Sequence, residues 1–211
     1  MSGIRGLRHL PRYLDAEQQS ALLGEIRSVM VAAPLFLPMM PRTGKPFSVR
    51  MTNCGGLGWV SDQAGGYRYQ ATHPATGRPW PAMPAMLLEL WEDVAGYPAR
   101  PEACLVNYYP PDARMGSHRD EDEEDRTAPV VSVSLGDDAV FHVGGRKRSD
   151  AKRRLVLESG DVVVLEGPLR MAYHGIDRIV PGSSSLLTEG GRINLTLRRV
   201  TREVGPIRAA C

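Results

Sequence analysis

Two histidines and an aspartate stand out by type and spacing. His118 and Asp120 lie two residues apart in Ser117-His118-Arg119-Asp120, after a short apolar run and a glycine, and His174 follows in Tyr173-His174-Gly175-Ile176. An imidazole and a carboxylate at that spacing can both reach one metal ion, and a third ligand from elsewhere would complete one triangular face of an octahedron. Such a face leaves three positions open, which a mononuclear Fe(II) site needs in order to bind an organic co-ligand and dioxygen together. The tripeptide alone occurs on many loops and is weak evidence. Zinc, which the affinity order favours over iron, could take the same donors, so the three residues by themselves leave a non-catalytic metal-binding sensor open.

A second candidate set is the strand Arg192-Ile193-Asn194-Leu195-Thr196-Leu197-Arg198. Alternation puts Arg192, Asn194, Thr196 and Arg198 on one face and three aliphatics on the other. If the polar face is interior, two guanidinium groups need acidic side chains or an anionic ligand, because burying them unpaired is costly. A small dicarboxylate would satisfy both, each guanidinium gripping a carboxylate through paired N–H groups. The alternative is an exposed edge strand with solvated arginines.

The elements that must hold these residues follow from periodicity. Residues 15–30 predict a helix with Asp15 as N-cap, Gln18 closing a capping box, and Leu22, Ile26, Val29 and Met30 on one face. Pro81 to Tyr97 predicts a second helix, with Leu87, Leu90, Trp91 and Val94 buried and Gly96 as its stop. Between them, from Pro34 to Gly58, prolines and glycines predict short strands and loops. From Ala103 the period changes to two, and Asn107 and Tyr109 share a face of Ala103–Tyr109. Val131–Leu135, Ala139–Val143, Leu155–Leu157 and Asp161–Val164 read as closely spaced antiparallel strands. The fold class is therefore α+β, mainly β, with a sandwich or jelly-roll core. A chain of 211 residues reads as a single domain, 1–211.

Composition narrows the setting. No apolar run reaches membrane-spanning length and no h-region follows the start, so the chain reads as soluble, untargeted and cytoplasmic, with no membrane partner. Cys54, Cys104 and Cys211 are odd in number and far apart, which fits reduced thiols. A net charge of +2 hides two opposed blocks: six acidic residues from Asp120 to Asp125 and six basic ones within Arg146 to Arg154. The basic block suits phosphate contacts, or is a solvated loop. Trp59, Tyr67 and Tyr69 cluster among glycines; their spacing fits a half-exposed platform or rings packed under a loop equally well.

Taken together, HxD at 118–120, a histidine 54 residues after Asp120 and an arginine-rich strand beyond it resemble the Fe(II)/2-oxoglutarate dioxygenases. Met51-Thr52-Asn53-Cys54-Gly55, Leu57-Gly58-Trp59, Pro79-Trp80-Pro81-Ala82-Met83-Pro84, Val131 to Gly136, Gly160 to Val164 and Arg192-x-Asn194-Leu195-Thr196 resemble, more closely, the bacterial AlkB family of alkylated-nucleobase dioxygenases. That resemblance runs from about residue 47 to 200. It implies a double-stranded β-helix over about 101–200, with about 1–100 forming an N-terminal extension and nucleotide-recognition lid.

Carried over position by position, the resemblance implies that His118, Asp120 and His174 bind Fe(II), and that Arg192 and Arg198 hold the two ends of 2-oxoglutarate. Asn107, Tyr109 and Asn194 would complete the co-substrate pocket. Trp59 would stack the damaged base, Tyr67 would act as a lid tyrosine near the DNA backbone, Asp122 would sit near the exocyclic amine, Arg148 would serve as a lid arginine, and Met51 would join the substrate-binding residues. The activity implied is oxidative dealkylation of lesions such as 1-methyladenine and 3-methylcytosine, consuming 2-oxoglutarate and O2 and releasing aldehyde, succinate and CO2. The expected partner is alkylated DNA, single strands ahead of duplex, with RNA left open, and the expected state is a monomer. A related oxygenase acting on a protein or small molecule is the competing reading; the Trp59 and Tyr67 segment argues against it. Two departures bear on substrate preference. Leu165 stands where relatives can carry tryptophan, near the expected active-site wall, and Glu189-Gly190-Gly191 is expected to loosen the loop before the last strand.

Overall fold

The computed structural model describes residues 5–202. In chain order the elements are β1 (Leu7–Leu10), α1 (Ala16–Ala32), β2 (Arg50–Gly55), β3 (Gly58–Asp62), β4 (Gly66–Gln70), α2 (Ala85–Val94), β5 (Ala103–Tyr109), β6 (Met115–His118), β7 (Val130–Gly136), β8 (Asp138–Val143), β9 (Arg153–Leu157), β10 (Val162–Leu165), a 3₁₀ turn at Gly167–Leu169, β11 (His174–Val180) and β12 (Arg192–Arg198). The strands form a six-stranded sheet in the order β1-β10-β7-β12-β5-β2, a four-stranded sheet in the order β6-β11-β8-β9, and a separate β3-β4 ribbon. All pairings between these strands are antiparallel. This is a double-stranded β-helix, or jelly roll, with both helices on one face of the larger sheet.

Period-two alternation explains how one sheet serves two purposes. Ile193, Leu195 and Leu197 of β12 join Val131, Val133, Leu135, Val162 and Val164 in the core beneath α1 and α2. The opposite face of the large sheet meets the small one through Met51, Leu105, Val163 and Leu165 against Phe141, Val143, Ile176 and Ile179. Burial of each such aliphatic side chain stabilises the fold by about 1.5–3 kcal/mol. The gap between the sheets, lined partly by polar side chains, is the cavity described below.

Helix α1 begins as its sequence predicts. Asp15 accepts from the Gln18 backbone N–H at 2.8 Å, and the Gln18 side chain accepts from the Asp15 N–H at 2.9 Å. Helix α2 is shorter than the predicted 81–97, because residues 81–83 stay outside it and Pro84 is the N-cap at ψ 138°. A proline disfavours helical backbone at the residue before it, so Met83 cannot be recruited. At the other end Gly96 has φ +59°, the left-handed stop expected of it. Trp91 is core, 1% exposed, as predicted.

Two short connections behave differently from simple hairpins. β7 and β8, joined through Asp137, belong to different sheets, and so do β9 and β10 on either side of Glu158-Ser159-Gly160. Each is a step from one sheet to the other, which is how successive strands enclose a cavity. The glycines before β12 do not loosen the loop. Gly191, at φ +84°, donates its N–H to Asp137 at 2.9 Å and accepts from the Asp137 N–H at 2.8 Å, and a Cβ there would come within 2.6 Å of the Tyr109 carbonyl oxygen. Gly191 thus makes a tight approach to the Tyr109 backbone that only glycine permits. Cys54 and Cys104 are buried free thiols facing each other across β2 and β5, while Cys211 lies outside the described residues.

Candidate active site

Between the sheets lies a cavity of about 730 Å³. That volume is ample for a small co-substrate together with one flipped base. Strands β6 and β11 bring His118 and His174 directly opposite each other, and their rings lie 4.5 Å apart. Asp120, just past β6, places its carboxylate oxygens 3.8 Å from each Nε2. Ligand atoms of all three lie within 4.8 Å of one another, as a shared metal ion requires. Both Nδ1 atoms are engaged at 3.0 Å by backbone carbonyls, Gly116 for His118 and Ala172 for His174. That contact puts the proton on Nδ1 and leaves both Nε2 lone pairs directed at the common point.

The electrostatics agree with a metal-ligand role. Burial, with the neighbouring His118, pushes His174 down to about 4, so its ring is neutral near pH 7. Burial alone would raise the Asp120 carboxyl, but Arg198, then the two histidines and Arg170, hold it well below the ordinary carboxylate range. A neutral imidazole at His174 and an ionised Asp120 are the forms in which these two groups bind a divalent cation.

The two arginines of β12 resolve differently. The strand is central, between β7 and β5, so the solvated-edge alternative fails. Arg198 already has acidic partners, Asp120 at 3.0 Å and Glu123 at 3.3 Å. Arg192 has none. It is fully buried, bonds only to the Ser134 hydroxyl at 2.7 Å and the Leu157 carbonyl at 3.4 Å, and keeps its Nε unpartnered. Burial pushes its pKa down to about 10. Asn107 Oδ1 is a second buried polar atom without a partner. Arg192, Asn107, Tyr109, Asn194 and Arg198 all line the cavity that holds the metal-ligand set. The unsatisfied cation and its polar neighbours fit a bound carboxylate, and the donor triad fits Fe(II).

At the rim, the β3-β4 ribbon turns Trp59, Tyr67 and Tyr69 to one face. Trp59 and Tyr67 stack at 5.6 Å and 21°, line the cavity, and leave Tyr67 half exposed. Trp59 and Tyr67 thus form a stacked pair at the cavity rim, whereas Tyr69 is turned inward, its hydroxyl donating to the buried Glu123. Asn53 fixes the base of the ribbon through paired bonds of 3.0 Å to the Trp59 backbone. The Trp59 Nε1–H donates to Asp122 at 2.8 Å. Crowding out of water raises the Asp122 pKa, against the lowering effect of that bond. Met51, Arg148 and Leu165 also line the cavity, and Arg148 stacks over Tyr173 at 5.1 Å.

Several contributors escaped the sequence reading. Glu123, only 3% exposed, accepts from Tyr69 at 2.5 Å and pairs with Arg170 at 3.1 Å and with Arg198. Arg170 also donates to the Asp120 carbonyl at 2.8 Å. One buried carboxylate thereby ties the ribbon, the metal-ligand loop and β12 together. Arg119, which lines the cavity, stacks over Tyr173 at 5.0 Å as Arg148 does. The available signal for Ser134 was its place in Val131-Ser132-Val133-Ser134-Leu135, where alternation puts it on the face of β7 that neighbours Arg192.

A jelly roll with this donor triad beside an unpaired buried arginine defines a 2-oxoglutarate-type oxygenase. The model for the 2OG-Fe(II) oxygenase superfamily matches residues 6–198. The chain is 54% identical over 196 residues to the alpha-ketoglutarate-dependent dioxygenase AlkB homolog of Caulobacter vibrioides, covering 93% of this chain and 88% of that one. It is 45% identical over 186 residues to the alpha-ketoglutarate-dependent dioxygenase AlkB of Escherichia coli, covering 86% and 85%. The solved structure of OsALKBH1 superposes with a TM-score of 0.78 at 28% identity, covering 92% of this chain and 98% of that one. The chain belongs to the AlkB family of 2OG-Fe(II) oxygenases, enzymes that use Fe(II), 2-oxoglutarate and dioxygen.

Proposed function

We propose that this enzyme reverses N-alkyl damage in nucleic acid by oxidative dealkylation. The observation that carries the reading is Arg192, a buried cation with no carboxylate partner among the described residues, facing the cavity that holds His118, Asp120 and His174. When bound, Fe(II) with 2-oxoglutarate and dioxygen supplies hydroxylation of the N-alkyl carbon, coupled to conversion of 2-oxoglutarate to succinate and CO2. The product is a hemiaminal, which collapses to free the base and an aldehyde.

The chain's part is to bind, orient and exclude water. His118, Asp120 and His174 hold the metal. Arg192 takes one carboxylate of 2-oxoglutarate, and Asn107, Tyr109, Asn194 and Arg198 complete that pocket. A base inside a duplex cannot reach a donor set at the cavity floor, so the nucleotide must flip out, at a cost smallest for bases already unpaired. That favours single-stranded DNA, and RNA is admitted by the same contacts. Trp59 with Tyr67 offers a stacking platform worth about 1–3 kcal/mol, Met51 and Leu165 an apolar wall, Asp122 a carboxylate at the base edge, and Arg148 a phosphate contact. Within the first hundred residues the β3-β4 ribbon serves as the recognition lid, while β1, α1, β2 and α2 belong to the sheet and core of the jelly roll. No helix among the described residues is long and apolar enough to cross a membrane, and we place the enzyme in the cytoplasm as a monomer.

The test is to incubate protein, Fe(II) and 2-oxoglutarate with single-stranded oligonucleotides bearing 1-methyladenine or 3-methylcytosine. Loss of the methyl mass matched mole for mole by succinate is expected. Succinate formation without change in the oligonucleotide would transfer the activity to another substrate class.

A further inference from the structure

Behind the metal-ligand strands runs a second hydrogen-bonded chain that the reaction chemistry does not use. Ser117 Oγ meets His142 Nε2 at 2.7 Å, His142 Nδ1 meets Asp177 Oδ1 at 2.7 Å, and Arg154 Nε donates to Asp177 Oδ2 at 2.7 Å. The four residues come from β6, β8, β11 and β9, so one chain of side chains crosses the whole small sheet. His142 is 3% exposed. A Cβ on Gly175 would lie 2.9 Å from its Cε1 and 2.5 Å from the Met115 carbonyl oxygen, so the ring spans β11 where only glycine leaves room. Asp177 can only accept, which puts the neutral ring's proton on Nδ1 and makes Nε2 the acceptor of the Ser117 hydroxyl.

The strand this chain reaches is the weakest of the site. β6 has four residues, lies at the sheet edge, and pairs with β11 through a register that shifts between His174 and Ile176. His174, by contrast, stands on a strand held on both sides, by β6 and by β8. His118 is also the more exposed of the two rings, with 40% of its side chain accessible against 10%. A fraying edge would therefore displace His118 and leave His174 in place.

From this arrangement we infer that Ser117, His142 and Asp177 are positioning residues, a cross-sheet tether that holds β6 in register so that His118 and His174 meet one metal ion. The inference rests on the metal-ligand assignment above, and its test separates the two. Partners that orient a ligand are worth about 10–100-fold in metal affinity; acting through the strand, the tether stands at the lower end.

The experiment compares wild type with Ser117→Ala, Ser117→Thr and His142→Phe, the last keeping an aromatic ring over Gly175. Co(II) affinity is measured by calorimetry, and amide hydrogen exchange is followed in the metal-free proteins. About tenfold weaker Co(II) binding is expected for Ser117→Ala and His142→Phe, with near wild-type binding in Ser117→Thr, which keeps the hydroxyl. Exchange should quicken at Gly116, Ser117 and His118 and stay unchanged across β12. Unchanged Co(II) affinity in Ser117→Ala would overturn the tether, as would exchange that rises uniformly through the molecule. Labelling of Ser117 by a fluorophosphonate would also overturn it, by making that hydroxyl a nucleophile. Were wild type itself to bind no Co(II), the metal assignment would fall, and the exchange comparison alone would still decide whether β6 is tethered.

Discussion

The floor and the rim of the cavity solve the problem of charge in opposite ways. At the floor, Asp120, Glu123, His174, Arg192 and Arg198, with Arg170 behind them, are each at most 8% exposed, and both carboxylates have a cationic partner. At the rim, Tyr67 is half exposed, and Asp122 bonds to an indole N–H, not to a cation. Buried charges are costly unless they are paired, and at the floor the carboxylates are already held by Arg170 and Arg198. A rim that still touches water can change partners when a substrate arrives.

Breaking the floor should give the largest effects, and should separate its members. His118→Ala is expected to lower turnover at least 100-fold while barely moving the melting temperature, because that ring is partly exposed and holds no buried charge. Asp120→Ala should lose turnover equally but also unfold earlier. Removing one partner of a buried ion pair costs about 3–5 kcal/mol, here moderated by Glu123, which still faces Arg198. At about 2–4 °C per kcal/mol for a chain of this size, scanning calorimetry of the two variants should differ by about 10 °C. Equal melting temperatures would show that Arg198 does not depend on Asp120.

Arg192 is the exception within the floor, and Arg192→Met sharpens the point. A charge-assisted bond contributes about 1.5–3 kcal/mol, so the 2-oxoglutarate concentration needed for half-maximal rate should rise at least tenfold, with oligonucleotide affinity unchanged. Since no acid is left stranded, the ligand-free protein should be no less stable than wild type. A raised oligonucleotide dissociation constant would place this guanidinium on the nucleic-acid side.

The two regions also differed in how much the sequence revealed. β5 and β12 were legible to the residue because strict alternation must send one face to the helices and the other to the cavity. That His118, Asp120 and His174 come together was legible because metal chemistry restricts residue type as well as spacing. Glu123 was not. It sits in a six-residue acidic run that reads as solvated, and its partners Tyr69, Arg170 and Arg198 stand far away in the chain. β1, four residues of Leu-Arg-His-Leu, was equally silent, since it becomes a strand only by pairing with β10. Gly190-Gly191 read as slack because glycine permits both freedom and close approach; only the Tyr109 and Asp137 contacts show which applies.

A smaller effect concerns acid. With its folded pKa at about 4, below the ordinary histidine value of 6.5, His174 is neutral in the folded metal-free protein where the unfolded chain would be protonated. The unfolded state then binds more protons between those values, so stability present above pH 6.5 is lost as the pH falls toward 4. At full extent this amounts to about 3 kcal/mol. His142, also lowered by burial, acts in the same direction, so the comparison is between wild type and His174→Gln. Melting temperatures of the metal-free proteins at pH 7, 6 and 5 should fall more steeply for wild type. Parallel curves would mean that His174 is not the group responsible.

The rim supplies the finest test, because there one charge can be removed without disturbing its hydrogen bond. Asp122 accepts from Trp59 Nε1, and an asparagine carbonyl can accept the same bond. Lesions such as 1-methyladenine and 3-methylcytosine carry a positive ring near neutral pH, whereas 1-methylguanine and 3-methylthymine are neutral. At an effective dielectric of about 20 and a separation of about 4 Å, the attraction between Asp122 and a cationic base is at most about 4 kcal/mol before both charges lose water. A quarter of that, about 1 kcal/mol, is still a factor of about five. Asp122→Asn should therefore lower catalytic efficiency on the cationic lesions about fivefold and leave the neutral ones within twofold, in matched single-stranded oligonucleotides. Because solvent exclusion raises the Asp122 pKa, the preference for cationic lesions should also fade in wild type as the pH is lowered and the carboxylate takes up its proton. In Asp122→Asn that fading should be absent. Equal losses on both lesion classes would show that the stacked Trp59 and Tyr67 rings, not the carboxylate, set the preference.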